Sequence, residues 1–125
     1  MFCYKVFAGC KNAISSHNTT SMFSQEYLIK TKNYARENTL LFVFKRLKDA
    51  YEFCGSLERI WICECDKLIE APEYVAYPIS DSIQCFWDNF DINNPTKKMP
   101  DYIAKRETPE GTYFTKWVIP LNRLK

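Results

Sequence analysis

Glycine is scarce in this 125-residue chain, with three residues in all, and histidine occurs once, as His17. Little room is left for a phosphate cradle, which needs several glycines to bring backbone N–H groups close to the anion. The chain contains no G-x-G-x-x-G, G-x-x-x-x-G-K-[ST], G-x-S-x-G or H-E-x-x-H. Dinucleotide-fold oxidoreductases, P-loop NTPases, elbow-type hydrolases and zincins are therefore disfavoured. No run of about eighteen apolar residues is present, which excludes a spanning helix. Disorder is excluded by the opposite feature, a content of 46% hydrophobic and 16% aromatic residues. A single globular domain over 1–125 is expected, long enough to bury a core without staples.

An excess of charge of either sign is also lacking, since 17 Lys and Arg meet 15 Asp and Glu. The resulting pI of about 8.2 argues against nucleic acid as a partner. The distribution is less even. Residues 64–91 hold seven acids against Lys67 alone, and residues 92–125 hold seven cations against three acids. Such contrast usually serves internal complementarity or solvation.

Six cysteines are present, at 3, 10, 54, 63, 65 and 85. Residues 1–20 show no basic, apolar and small-residue series of a signal peptide, so reduced cysteines and a cytoplasmic location are expected. Metal ligation would need C-x₂₋₄-C pairs or several histidines. The one close pair is Cys63-Glu64-Cys65, so neither a metal nor a cofactor is expected. On a strand that pair shares one face as small core hydrophobes, with Glu64 on the other.

The pattern of residues implies an α+β fold. Phe2–Ala8 reads as a strand closed by Gly9, 10–24 as a long polar loop, and Gln25–Thr31 as an exposed strand. Lys32–Thr39 reads as a loop, and Leu40–Phe44 is a continuous apolar run suited to a central strand. Leu47, Ala50, Tyr51, Cys54 and Leu57 then fall on one helical face, ending at Gly55 in a left-handed conformation. Arg59–Cys65 returns as a strand beside 40–44. A shorter helix is expected at about 80–90, a long loop over 91–109, and a closing strand over 111–121. The sum is a mixed sheet of five or six strands with a main helix at about 46–55.

The series Y-K-V-F (4–7), L-F-V-F-K (41–45), D-A-Y-E-F (49–53), I-W-I-C-E (60–64) and G-T-Y-F-T-K-W-V-I-P-L (111–121) resembles small domains without known activity in microbes and their viruses. The opening strand is distantly similar to that of ADP-ribosyltransferase-like folds. There, a basic or histidine residue near the chain start contacts nicotinamide dinucleotide and a late glutamate orients the ribose. The resemblance implies Lys5 and Glu110 for these roles.

The residues themselves nominate few sites. Glu64 could be a cleft carboxylate or an ordinary surface glutamate, and Glu110 shares that ambiguity. His17 and Ser15, in the polar loop, could contact a ligand, although surface residues in a long connection are commonly just solvated. Trp61, with Trp87 and Trp117, could line a pocket, whereas large aromatics more often fill cores. The expected function is a non-catalytic binding or accessory module for a protein or small molecule, with no membrane contact. A nucleotide-using transferase is the alternative.

Overall fold

The computed structural model describes residues 1–9, 13–16, 26–77 and 80–125. The aromatic and β-branched opening segment forms β1 (Phe2–Gly9), on which the sheet is built. The following elements are β2 (Ala13–Ser16), β3 (Glu26–Leu28), β4 (Asn33–Tyr34), β5 (Leu41–Phe44), α1 (Leu47–Phe53) and β6 (Arg59–Cys65). The rest of the chain supplies β7 (Ile69–Glu70), β8 (Tyr74–Ala76), α2 (Ser80–Asn89), β9 (Lys105–Glu107), β10 (Thr112–Thr115) and β11 (Trp117–Arg123).

The α+β class holds, but the strands outnumber the expected five or six. Nine lie in one sheet along the path β4-β11-β6-β1-β5-β10-β7, with β2 and β3 branching from β1, and β8 pairs with β9 separately. The extra strands are mostly two to four residues long, and their partners, rather than an alternating pattern of their own, make them strands. Three of them fall in stretches read as loops: β2 in 10–24, β4 in 32–39 and β9 in 91–109. Nor is the sheet mixed, since every described pair is antiparallel. Strands β5 and β6 do run the same way across α1, but β1 lies between them and pairs with both.

The main helix is shorter than expected. At Cys54 the backbone turns extended (φ −68°, ψ 125°) and α1 stops there. Gly55 does not take the left-handed conformation expected of it. Its N–H instead donates to Glu58 Oε1 at 2.7 Å. Leu57, placed on the buried helical face by its spacing, lies beyond the helix and is 86% exposed.

One face of the sheet carries Cys3, Phe7, Tyr27, Leu41, Val43, Trp61, Cys63, Cys65 and Val118 as a continuous core. On the other face α1 covers Val6, Phe44 and Ile60, and α2 covers Phe114 and Ile69. The first core is enclosed because β10 and β11 are consecutive, joined by Lys116 alone, yet stand at opposite ends of the five-strand path β11-β6-β1-β5-β10. Two residues span at most about 7 Å, so the sheet must curl until these ends meet. Asp66 ties the seam, its N–H donating to Trp117 O at 3.3 Å and its carbonyl accepting Thr115 Oγ1 at 3.1 Å. On the far side the Asn33 side chain closes the gap between β3 and β11, accepting from Leu28 N–H and donating to the carbonyls of Leu28, Thr31 and Val118.

Where β10 begins, the backbone needs glycine. Gly111 has φ +80°, and a Cβ there would lie 2.1 Å from Asp49 Oδ2. Asp49 is only 3% exposed and is held by Arg46, whose Nε donates to Oδ2 at 2.8 Å and whose Nη2 donates to Oδ1 at 3.3 Å. Gly111→Ala is expected to cost about 2 kcal/mol or more in urea denaturation, combining left-handed strain with the clash. In an Asp49→Ala background the carboxyl contacts vanish and only the Asp49 Cβ remains close, at 2.7 Å, so the cost should fall but stay above about 1 kcal/mol. Equal costs in both backgrounds would disprove the steric account.

Candidate functional site

Lys5 points from the middle of β1 into the enclosed core and is 5% exposed. Its position is a fork in the sheet. Along one side β1 pairs with β6 from Phe2 to Phe7. Along the other, β5 meets it at Tyr4 alone, and β2 takes over from Phe7 to Gly9. Between those points β5 has already left, and Lys5 Nζ donates to Phe42 O at 2.6 Å. Two ring faces add to this, with Phe7 and Tyr27 centroids 5.6 Å and 5.5 Å from the ammonium. Burial still dominates and pushes the amine down to about 8.

The thiols beside it belong to the same core. Cys3 and Cys63 are directly opposite in the ladder, and both pack with Cys65 in the same buried cluster. The Cys63 thiol and burial push the Cys3 thiol up, against the Cys65 thiol, which pulls it down, and contact with Cys3 together with burial raises Cys65. Cys3, Cys54, Cys63, Cys65 and Cys85 are all free thiols, while Cys10 lies outside the described residues. Among the described residues no three metal-ligating side chains converge.

The other nominated residues are scattered. Glu64 is half-buried on the face opposite Lys5, in register with Phe2 and Ile119. Glu110 stands before β10 with its side chain 82% exposed, 4.0 Å from Arg46 Nη2. Trp61 is buried in the enclosed core, with no partner for its Nε1 among the described residues. Ser15 lies in β2, in register with Ala8 and Glu26, and His17 falls outside the described residues. The three tryptophans do not share a pocket either. Trp61 packs inside the curled sheet, Trp87 packs on its outer face, and Trp117 lies beneath the Lys32 ammonium at 4.2 Å.

What the sequence did not single out is a groove of about 670 Å³ between α2 and the 34–40 segment. That volume suits a small organic ligand. Its floor is the outer edge of an aromatic cluster in which Trp87 lies 5.3 Å from Phe114 and 5.4 Å from Phe90, centroid to centroid. Its wall is the 34–40 backbone, shaped by Asn38 at φ 61° and by Thr39, whose N–H and Oγ1 both donate to Arg36 O. Ala35 N–H donates to Lys116 O at 2.9 Å, anchoring this wall to the corner between β10 and β11. Arg36, Glu37, Asp88 and Lys116 are the charged groups on its lining. The helical spacing of Trp87 and Phe90 was legible. That the 34–40 segment would face them was not.

Two measurements check the buried groups. The folded-state amine of Lys5 titrates near 8 rather than at its ordinary 10.5, so below pH 8 the cost of burying its charge is fully present, and it fades as pH rises through 8 to 10.5. Relative to Lys5→Met, wild-type protein should therefore gain about 2–3 kcal/mol in urea denaturation between pH 7 and pH 10. Cys3 and Cys65 shift wild-type stability the opposite way over this range, which is why the difference between the two proteins is the quantity to follow. A difference independent of pH would show that the amine titrates as it does in water. Separately, Cys54 and Cys85, both half-buried, should react with a thiol reagent well before Cys3, Cys63 and Cys65, which wait for global opening. Equal rates by mass-spectrometric mapping would contradict the closed core.

No family model matches this chain, and neither a curated protein nor a solved structure matches it.

Proposed function

We propose that this protein is a non-catalytic, cytoplasmic binding module whose ligand occupies the groove between α2 and the 34–40 segment. The groove itself carries the proposal, as a concave surface with aromatic groups at its base and charged groups at its rim. Transfer chemistry needs its acid, base and electrophile-binding groups within reach of one reacting atom. Lys5 and Glu64 lie on opposite faces of the sheet, Lys5 is enclosed, and Glu110 is paired with an exposed arginine beside α1. That separation favours binding over the transferase alternative. The free thiols fit a reducing compartment, and no helix among the described residues is long and apolar enough to cross a membrane.

A fragment panel screened by thermal shift tests this reading. Ligands that raise the melting temperature of wild-type protein should lose that effect in Glu37→Trp, where a large ring fills the groove from its exposed rim, and keep it in Glu110→Gln. Consumption of a nicotinamide dinucleotide, abolished in Glu110→Gln, would overturn the proposal.

A further inference from the structure

We propose that the outer face of β1, β6, β11 and β4 is a docking surface for a second copy of this chain, an inference independent of the groove. The helices cover only part of the outer sheet face, α1 over Val6 and Ile60 and α2 over Phe114. Beyond them, Phe2, Glu64 and Ile119 form one row across β1, β6 and β11. Trp117 and Tyr34 form the next row, across β11 and β4. Ile62, two residues before Glu64 on β6, shares their face. Phe2 and Tyr34 are 58% and 62% exposed, and Ile62, Trp117 and Ile119 are half-buried. None of these five apolar residues belongs to any of the three hydrophobic cores. A contiguous apolar patch with no described element packed on it marks a docking surface.

The charges on this face point to another copy of the same face. Glu64 is half-buried in the middle of the apolar rows. Lys32 stands to one side, its ammonium 4.2 Å from the Trp117 ring centroid and 6.0 Å from that of Tyr34. Among the described residues neither takes part in an ion pair. Asp66, just beyond β6, keeps its carboxylate on the Lys67 N–H at 2.9 Å. A surface that pairs with itself about a two-fold axis must be self-complementary. One unpaired acid with one unpaired base displaced from it meets that condition. The axis lies in the interface, across the midpoint of the line from Glu64 to Lys32, so each Glu64 meets the partner's Lys32 while the apolar rows close on one another. That line runs obliquely over the strands, so the strands of the two copies cross at a large angle, as in orthogonal sheet packing. A partner bearing only a cation would answer Glu64 and be repelled by Lys32.

Sedimentation velocity on the full chain tests the proposal. The face is four strands wide, about 19 Å, which is the scale of a weak interface, so a dimer should form with a dissociation constant on the order of 100 μM. Glu64→Lys and Lys32→Glu each set like charges together at both contacts and should weaken self-association at least about tenfold. An equimolar mixture of the two variants puts opposite charges at both contacts, so their heterodimer should recover affinity to within about threefold of wild type. Lys32 is exposed and Glu64 borders solvent, so both variants should keep the wild-type fold, which the melting temperature checks. A wild-type chain that stays monomeric up to about 500 μM overturns the proposal and assigns the face to a different partner. A dimer indifferent to both charge reversals, or a mixture as monomeric as either variant alone, overturns it equally.

Discussion

The bond from the Lys5 ammonium to the Phe42 carbonyl sits where the sheet would otherwise come apart. A strand can be shared between two partners on one side only if it changes neighbour part-way along, and β1 does so between Tyr4 and Phe7. The departing strand then carries the Phe42 carbonyl past the end of its register with β1, inside a core where an unmet acceptor is costly. A long side chain with a donor at its tip satisfies it at 2.6 Å. Because β1 can fork, β5 and β10 can swing round until β10 joins β11 at Lys116, and the sheet closes over its own thiol-rich interior.

Two cores with different chemistry follow from that closure. Inside, three thiols, Cys3, Cys63 and Cys65, pack among aliphatic side chains and Phe7, Tyr27 and Trp61, and Asn33 at the edge bonds the carbonyls of Leu28 and Val118. Outside, beneath α2, the packing is aromatic and reaches the surface at Trp87 and Phe90. A close-packed interior has no room for a guest. An aromatic edge left half-covered does.

The long, strongly patterned elements were legible from the residues alone. Phe2–Gly9, Leu41–Phe44, Arg59–Cys65 and the helix near 80–90 all appear, and Cys63 and Cys65 share a buried face as their spacing requires. Short strands were not legible, because Asn33–Tyr34 and Lys105–Glu107 owe their conformation to β11 and β8 and carry no period of their own. The run from Gly111 to Leu121 read as one alternating strand, yet Lys116 interrupts it, so Thr115 and Val118 both turn inward to full burial. Lys5 was singled out through the distant similarity of the opening strand to ADP-ribosyltransferase-like folds. Its actual surroundings depend on where β5 diverges, and no local pattern encodes that.

The position of β1 also sets the order in which the chain can assemble. Its register runs from Phe2 against Glu64 to Phe7 against Arg59, so a ribosome must add more than fifty residues after β1 before that partner exists. At about 5–20 residues per second, an apolar strand bearing Phe2, Val6 and Phe7 spends several seconds without it. Only β2, close in sequence, can pair early, and it reaches only Phe7 to Gly9. The first half of β1 is thus an open edge throughout synthesis, the condition under which strands pair with the wrong chain. Lys5 in the middle of that edge carries a charge, and a charge on an exposed strand opposes such pairing. The same side chain that completes the fork in the folded protein guards the strand before the fold exists.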